Sequence, residues 1–148
     1  MLNGLTIMQA HEKLKNKEIS SLELTKACFD QIEKVDGTLN AFVHLEKERA
    51  LEQAKKVDDA GVFDHPLTGI PFGVKDVYCE VGVPTTGCSN VLRDKTYLPA
   101  HESTTTSRLK ALGSISLGKT NTDEFTMGAS TETSCYGPTR NPWDSTRV

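Results

Sequence analysis

The chain changes character at Gly61, and that change limits the folds open to it. Before it, apolar residues recur at helical spacing between polar ones. After it, short apolar runs are bracketed by Gly, Pro and Thr. Helical segments feeding short buried strands imply an α/β protein, with a helical part over residues 1–60 and the start of a mixed sheet flanked by helices over 61–148.

Local signals place most elements. Thr6 and Gln9 form a capping-box pattern, with Ile7, Ala10, His11 and Leu14 on one face. Ser20 and Glu23 repeat that pattern, and Ile19 can staple onto Leu24. The apolar stripe Leu24, Cys28, Ile32, Val35 follows, and Asp36-Gly37 is read as the helix stop. Ala41–Leu45 is a short strand. Glu46–Ala60 is a helix that faces Ala50, Ala54 and Val57 inward and closes at Gly61. Ile70–Val77 reads as a strand, 102–112 as a helix stopped by Gly113, and Ser114–Leu117 as a buried strand leading into Gly118-Lys119. Beyond Thr120 the chain turns polar and irregular. It ends on a turn, Asn141-Pro142-Trp143-Asp144, and four further residues. A chain ending this way is expected to continue in a longer parent, so that 1–148 is the N-terminal part of a single domain.

Several function classes are poorly supported. The net charge is -3 and the basic residues are scattered, which gives no nucleic-acid footprint. No window has the ~18 apolar residues of a membrane helix, and the first residues lack the pattern of a secretory signal. The four cysteines, Cys28, Cys79, Cys88 and Cys135, form no C-x-x-C pair, and the four histidines are far apart in sequence, so zinc spacing is absent. Reduced cysteines in a cytoplasmic protein are the simplest reading.

Three features could carry chemistry. Lys75, in the apolar run GIPFGVKD, is open to two readings. It is either a solvated or Asp76-paired lysine, or a desolvated one able to act as a base. Residues 118–144 are dense in Gly, Ser, Thr and Asn, which suits them to hold an amide or an oxyanion. Phe125, Met127, Tyr136 and Trp143 are expected to anchor that loop by packing. Gly113 to Thr120 matches a phosphate-loop pattern literally, but the intervening residues look like a strand and no long helix follows. Asp123, Glu124 and Glu132 are a weak carboxylate set for a metal, and solvated or capping roles suit them better.

Taken together, GIPFGVKD, PTTGCS and LGKTNTDEFTMGASTETSCYGPTRNPWD resemble the amidase signature family. Within it the likeness is to the glutamine-hydrolysing A-subunits of tRNA-dependent amidotransferases. The resemblance implies a truncated amidase-signature fold and a Ser–cis-Ser–Lys triad whose lysine is Lys75. It places both serines beyond Val148, so the 148 residues are expected to be inactive alone. It makes Met127, Gly128, Ala129 and Ser130 candidates for holding the substrate amide. It implies glutamine as ammonia donor and subunits B and C as partners. Charged tRNA would bind through the complex, and ATP and magnesium would serve the partner-catalysed step. No cofactor or metal is implied for this chain. Thr122, Thr126 and Val77 depart from the commonest residues of those glutamine-hydrolysing relatives. They keep a stand-alone amidase acting on a different amide as one alternative; a non-catalytic fragment is another.

Overall fold

A computed structural model describes residues 1–93 and 97–148. Its elements are α1 (Ile7–Lys15), α2 (Ser21–Leu39), β1 (Phe42–Leu45), α3 (Lys47–Ala60), β2 (Pro71–Lys75), α4 (Asn90–Arg93), α5 (Thr104–Ala111) and β3 (Ile115–Thr120). The α/β expectation holds. The chain forms two compact units, each built from discontinuous segments. One comprises Met1–Glu33, Glu46–Phe72 and Ser107–Leu117, and the other Lys34–Leu45, Gly73–Thr106 and Gly118–Val148.

The first unit is organised by helix starts. Thr6 and Gln9 complete a reciprocal capping box at α1. At α2, the Ser20 N–H and hydroxyl both donate to Glu23, and the Glu23 N–H donates back to Ser20 Oγ. The Asp58 carboxylate, from α3, accepts the Ser21 and Leu22 N–H groups at 2.7 and 2.9 Å. Those donors have no intrahelical partner, and an anion there also meets the positive end of the helix dipole. Ala10, Leu14, Leu24 and Ile70 form a buried cluster that Leu2, Leu5, Ile19 and Phe63 pack against. Burying a leucine or isoleucine side chain such as Leu14, Leu24 or Ile70 contributes about 1.5–3 kcal/mol. Ala50 and Ala54 are fully buried along α3, Val57 is half-buried, and Gly61 closes the helix in the left-handed region.

Two helical faces differ from the pattern expected of the sequence. Ile7 is exposed, because α1 buries only Ala10 and Leu14. On α2 the buried positions are Ser21, Leu24, Thr25 and Phe29, while Cys28, Ile32 and Val35 are half-buried. Phe29 also lies beneath the Lys47 ammonium, 6.0 Å from its centroid.

The second unit corrects the end of α2. The helix does not stop at Asp36-Gly37 but runs to Leu39. Asn40 takes the left-handed conformation at φ 55° and donates its N–H to the Asp36 carbonyl. The Asp36 carboxylate accepts the Ala41 and Phe42 N–H groups. Asp36 therefore stabilises the exit from the helix rather than marking its end, and Asn is one of the few non-glycine residues that tolerates the left-handed step.

The sheet has the order β1-β3-β2. β1 and β3 are antiparallel, with Phe42 opposite Thr120, His44 opposite Lys119 and Leu45 opposite Gly118, and an irregularity between Phe42 and His44. β2 and β3 run parallel: Ile115 N–H donates to the Ile70 carbonyl, and Asp76 N–H to the Thr120 carbonyl. β3 starts one residue later than the Ser114–Leu117 expectation and ends three residues later. It passes through Gly118 and Lys119, which are buried, to Thr120. Only glycine fits at 118. Its φ is +139°, and a Cβ would lie 2.2 Å from the His44 carbonyl oxygen. From Ile115 onward the literal phosphate-loop match is thus extended strand rather than a loop that could cradle a phosphate.

The ends of two further elements shift. β2 ends at Lys75 because the Lys75 carbonyl accepts both the Val77 and Tyr78 N–H groups in a tight turn. α5 starts at Thr104, where Ser103 Oγ accepts the Thr106 N–H. Glu102 instead accepts the Val81 N–H. Among the described residues no helix is long and apolar enough to cross a membrane.

Candidate active site

Lys75 is the last residue of β2, and its side chain is half-buried. Among the described residues its ammonium group makes no hydrogen bond and no ion pair. The Asp76 pairing offered as one reading of Lys75 is not formed. Asp76 is 1% exposed and turned to other partners. Its carboxylate accepts the Thr86 hydroxyl at 2.5 Å and the Thr86 and Cys88 N–H groups at 3.2 Å. Its own carbonyl accepts the Gly87 N–H. The segment after Pro84 is therefore folded around Asp76.

The buried lysine of this unit is Lys119, fully inaccessible on β3. Its ammonium donates to the Tyr78 carbonyl and to Thr85 Oγ1 at 2.9 Å, and lies 3.8 Å from Asp76 Oδ1. Burial pushes Lys119 below the ordinary lysine range, while Asp76 and then Glu80 pull the other way. Neither the burial of Lys119 nor its pairing with Asp76 is visible from spacing. The one available signal was its place beside an apolar run in a strand with no solvent-facing alternation.

Residues 118–144 are held differently from expectation. Phe125, Met127 and Trp143 are exposed, Trp143 at 92%, so they are not anchors; of the four, Tyr136 alone is half-buried. Arg93 lies over the Tyr136 ring at 5.0 Å. Short polar side chains secure the loop instead. Asn40 Nδ2 reaches the carbonyls of Tyr136, Gly137 and Pro138. Asn121 Nδ2 donates to the Asn40 and Gly137 carbonyls, and its Oδ1 accepts the Ser134 hydroxyl. Asp123 accepts the N–H groups of Ser130, Thr131 and Thr133 and the Thr133 hydroxyl. Those bonds, the Thr131 N–H first, hold its carboxyl below the usual carboxylate range. Glu124 accepts the Ser89 hydroxyl and Glu132 the Ser130 hydroxyl. The three carboxylates thus serve separate contacts, and among the described residues no set of three metal-ligating side chains stands together.

This network presents Met127, Gly128 and Ala129 at the surface, with Ser130 half-buried. The Met127 N–H is bonded to the Glu124 carbonyl and the Ser130 N–H to Asp123. The N–H groups of Gly128 and Ala129 have no partner among the described residues. Two adjacent free donors on a loop braced from below can receive a carbonyl oxygen.

An unpaired amine at a strand end and free loop donors on the same unit suit amide chemistry. The chain belongs to the amidase family, whose pattern matches residues 23–148. It is 50% identical over 147 residues to the A-subunit of glutamyl-tRNA(Gln) amidotransferase from Prochlorococcus marinus (strain MIT 9211), covering 97% of this chain and 30% of that one. The crystal structure of the A-subunit of glutamyl-tRNA(Gln) amidotransferase from Thermotoga maritima superposes with a TM-score of 0.72 at 29% identity, over 97% of this chain and 28% of the other. A bacterial aryl acylamidase of the amidase signature enzymes superposes at 0.85 with 29% identity, over 97% and 30%. The chain spans about a third of the length of these proteins.

Proposed function

We propose that the chain carries the general base of an amide-hydrolysing site, Lys75, in the glutaminase subunit of a tRNA-dependent amidotransferase. The supporting observation is that 97% of the chain aligns at 50% identity with the Prochlorococcus marinus protein. The Lys75 amine, half-buried and without a partner among the described residues, suits a group that must accept a proton. In this reading Lys75 takes the proton of a nucleophilic serine through a bridging serine. The serine attacks the glutamine side-chain carbonyl, and the proton leaves with ammonia. Water then releases glutamate from the acyl-enzyme. Met127, Gly128, Ala129 and Ser130 hold the amide. Ammonia passes to partner subunits B and C. There ATP and magnesium serve the amidation of Glu-tRNA(Gln) or Asp-tRNA(Asn). By itself the 148-residue chain is silent in glutamine hydrolysis, because a base without its nucleophile forms no acyl-enzyme.

The test is a chimera in which residues 1–148 replace the matched stretch of the Prochlorococcus marinus protein, assembled with its partners. Ammonia release from glutamine is expected, and Lys75→Ala is expected to lower it about 10²- to 10⁴-fold or more. A Lys75→Ala chimera that keeps its rate sinks the assignment. A stand-alone amidase is the second reading. It is favoured by the higher TM-score of the aryl acylamidase and by Thr122, Thr126 and Val77. Ammonia release that is indifferent to the partner subunits, with small aryl amides preferred over glutamine, would select it.

A further inference from the structure

The turn that follows Lys75 is tied at both ends by a buried charge pair. Lys75 supplies the carbonyl that accepts the Val77 N–H at 2.7 Å and the Tyr78 N–H at 2.9 Å. The Tyr78 carbonyl, at the far end of that turn, accepts from the Lys119 ammonium. Asp76, at the near end, is fixed through every polar group it has. Its N–H donates to Thr120, its carbonyl accepts from Gly87, and its carboxylate accepts from Thr86 and Cys88. Lys119 and Asp76 are 0% and 1% exposed and 3.8 Å apart.

A buried ion pair is a poor source of net stability, because both charges lose their hydration. An apolar pair would fill the space as well. What charge adds here is direction. The Lys119 ammonium is aimed at one main-chain carbonyl three residues from Lys75, and a reactive group must sit within about 0.5 Å of its productive place.

We propose that Lys119 and Asp76 are positioning residues, which hold the Lys75–Tyr78 turn so that the Lys75 amine stands at a fixed place. The inference rests on the reading of Lys75 as the base. Neither residue touches substrate in it. Lys119 acts through the Tyr78 carbonyl, and Asp76 through the 86–88 segment and the strand.

Two measurements on Lys119→Met, which keeps the apolar stem and removes the ammonium, decide the matter. In the 148-residue chain, amide hydrogen exchange at Val77 and Tyr78 is expected to quicken about tenfold relative to Ala50 and Ala54 of α3, a local loosening. In the chimera, kcat is expected to fall about 10- to 100-fold with KM for glutamine unchanged, since ground-state binding is not altered. A merely structural lysine would lower the yield of folded protein and leave kcat per folded site as it was, and that result overturns the proposal. So does unchanged relative exchange at Val77 and Tyr78.

If Lys119→Met does not fold, Thr85→Val removes one acceptor of the same ammonium. It is expected to quicken the same amides about two- to fivefold, and no change there overturns the proposal. If Lys75→Ala leaves the chimera active, the base assignment falls and takes the catalytic consequence with it. The exchange arm then still decides whether Lys119 holds the turn.

Discussion

The Asp123 carboxylate occupies the space beside Gly128 that any side chain at 128 would need: a Cβ there would lie 2.3 Å from Asp123 Cγ and 2.4 Å from Oδ1. Asp123 cannot simply swing away, because the N–H groups of Ser130, Thr131 and Thr133 hold it. Gly128→Ala is therefore expected to break part of that network and to cost about 1–3 kcal/mol, as overpacking does. Urea unfolding of the two chains measures it. A midpoint equal to the parent's would show that the carboxylate has room to move.

Asp123 should also leave a mark on the acid stability of the chain. Its folded pKa is depressed, so its contribution is complete above the ordinary carboxylate range, near about 4, and is lost as pH falls through the lowered folded value. The stability gap between the parent chain and Asp123→Asn is expected to be constant from pH 8 to about 5 and to narrow below about pH 4. Thermal unfolding across that range reads it. A gap that widens toward acid pH contradicts the assigned direction.

Asn40 does two jobs that substitutions can separate. Its φ of 55° suits Asn or Gly, and its side-chain amide holds the carbonyls of Tyr136, Gly137 and Pro138. Asn40→Gly keeps the backbone freedom and loses the amide. Asn40→Ala loses both and is expected to be the less stable of the two by about 1 kcal/mol, the cost of the left-handed step. Equal stabilities in denaturant would mean that the backbone at residue 40 relaxes.

Cys88 is expected to be chemically quiet. It is fully buried, and burial is the main cause that pushes its thiol up to about 11. At pH 8 its thiolate fraction is therefore about 10⁻³, and the thiolate is the reactive species. Alkylation by iodoacetamide followed by peptide mass mapping should find Cys88 unmodified under conditions that label Cys79, which is half-buried. Labelling of Cys88 at the rate of Cys79 in the folded chain would refute this.

Much of the fold was legible because its signals are local. The Thr6/Gln9 and Ser20/Glu23 boxes, the Ala50 and Ala54 face and the Gly61 stop join residues within a turn or two of each other. Side-chain spacing reports such contacts directly. The α/β class and β1 followed from the same kind of pattern. The long resemblance to the amidase family was likewise carried by contiguous residues, and the family match over 23–148 agrees with it.

Contacts that side-chain spacing does not report decided the rest. α2 outruns Asp36-Gly37 because the Asp36 carboxylate meets two N–H groups beyond the helix, and Asn40 turns the chain against carbonyls 96 to 98 residues away. The aromatic side chains of the 118–144 segment suggested apolar anchoring, yet the folded loop is held by Asp123, Asn121 and Asn40. A short polar side chain in contact with several main-chain groups satisfies more buried donors and acceptors than a ring does. Lys75 was found from its motif, but only the fold shows Asp76 turned away from it toward Thr86 and Cys88, and Lys119 buried against Tyr78. Residue types and spacing determined most of the elements, and the resemblance to the amidase family determined which lysine to suspect. The tertiary structure decided which charges face each other, because burial and partner choice depend on what the rest of the chain brings alongside.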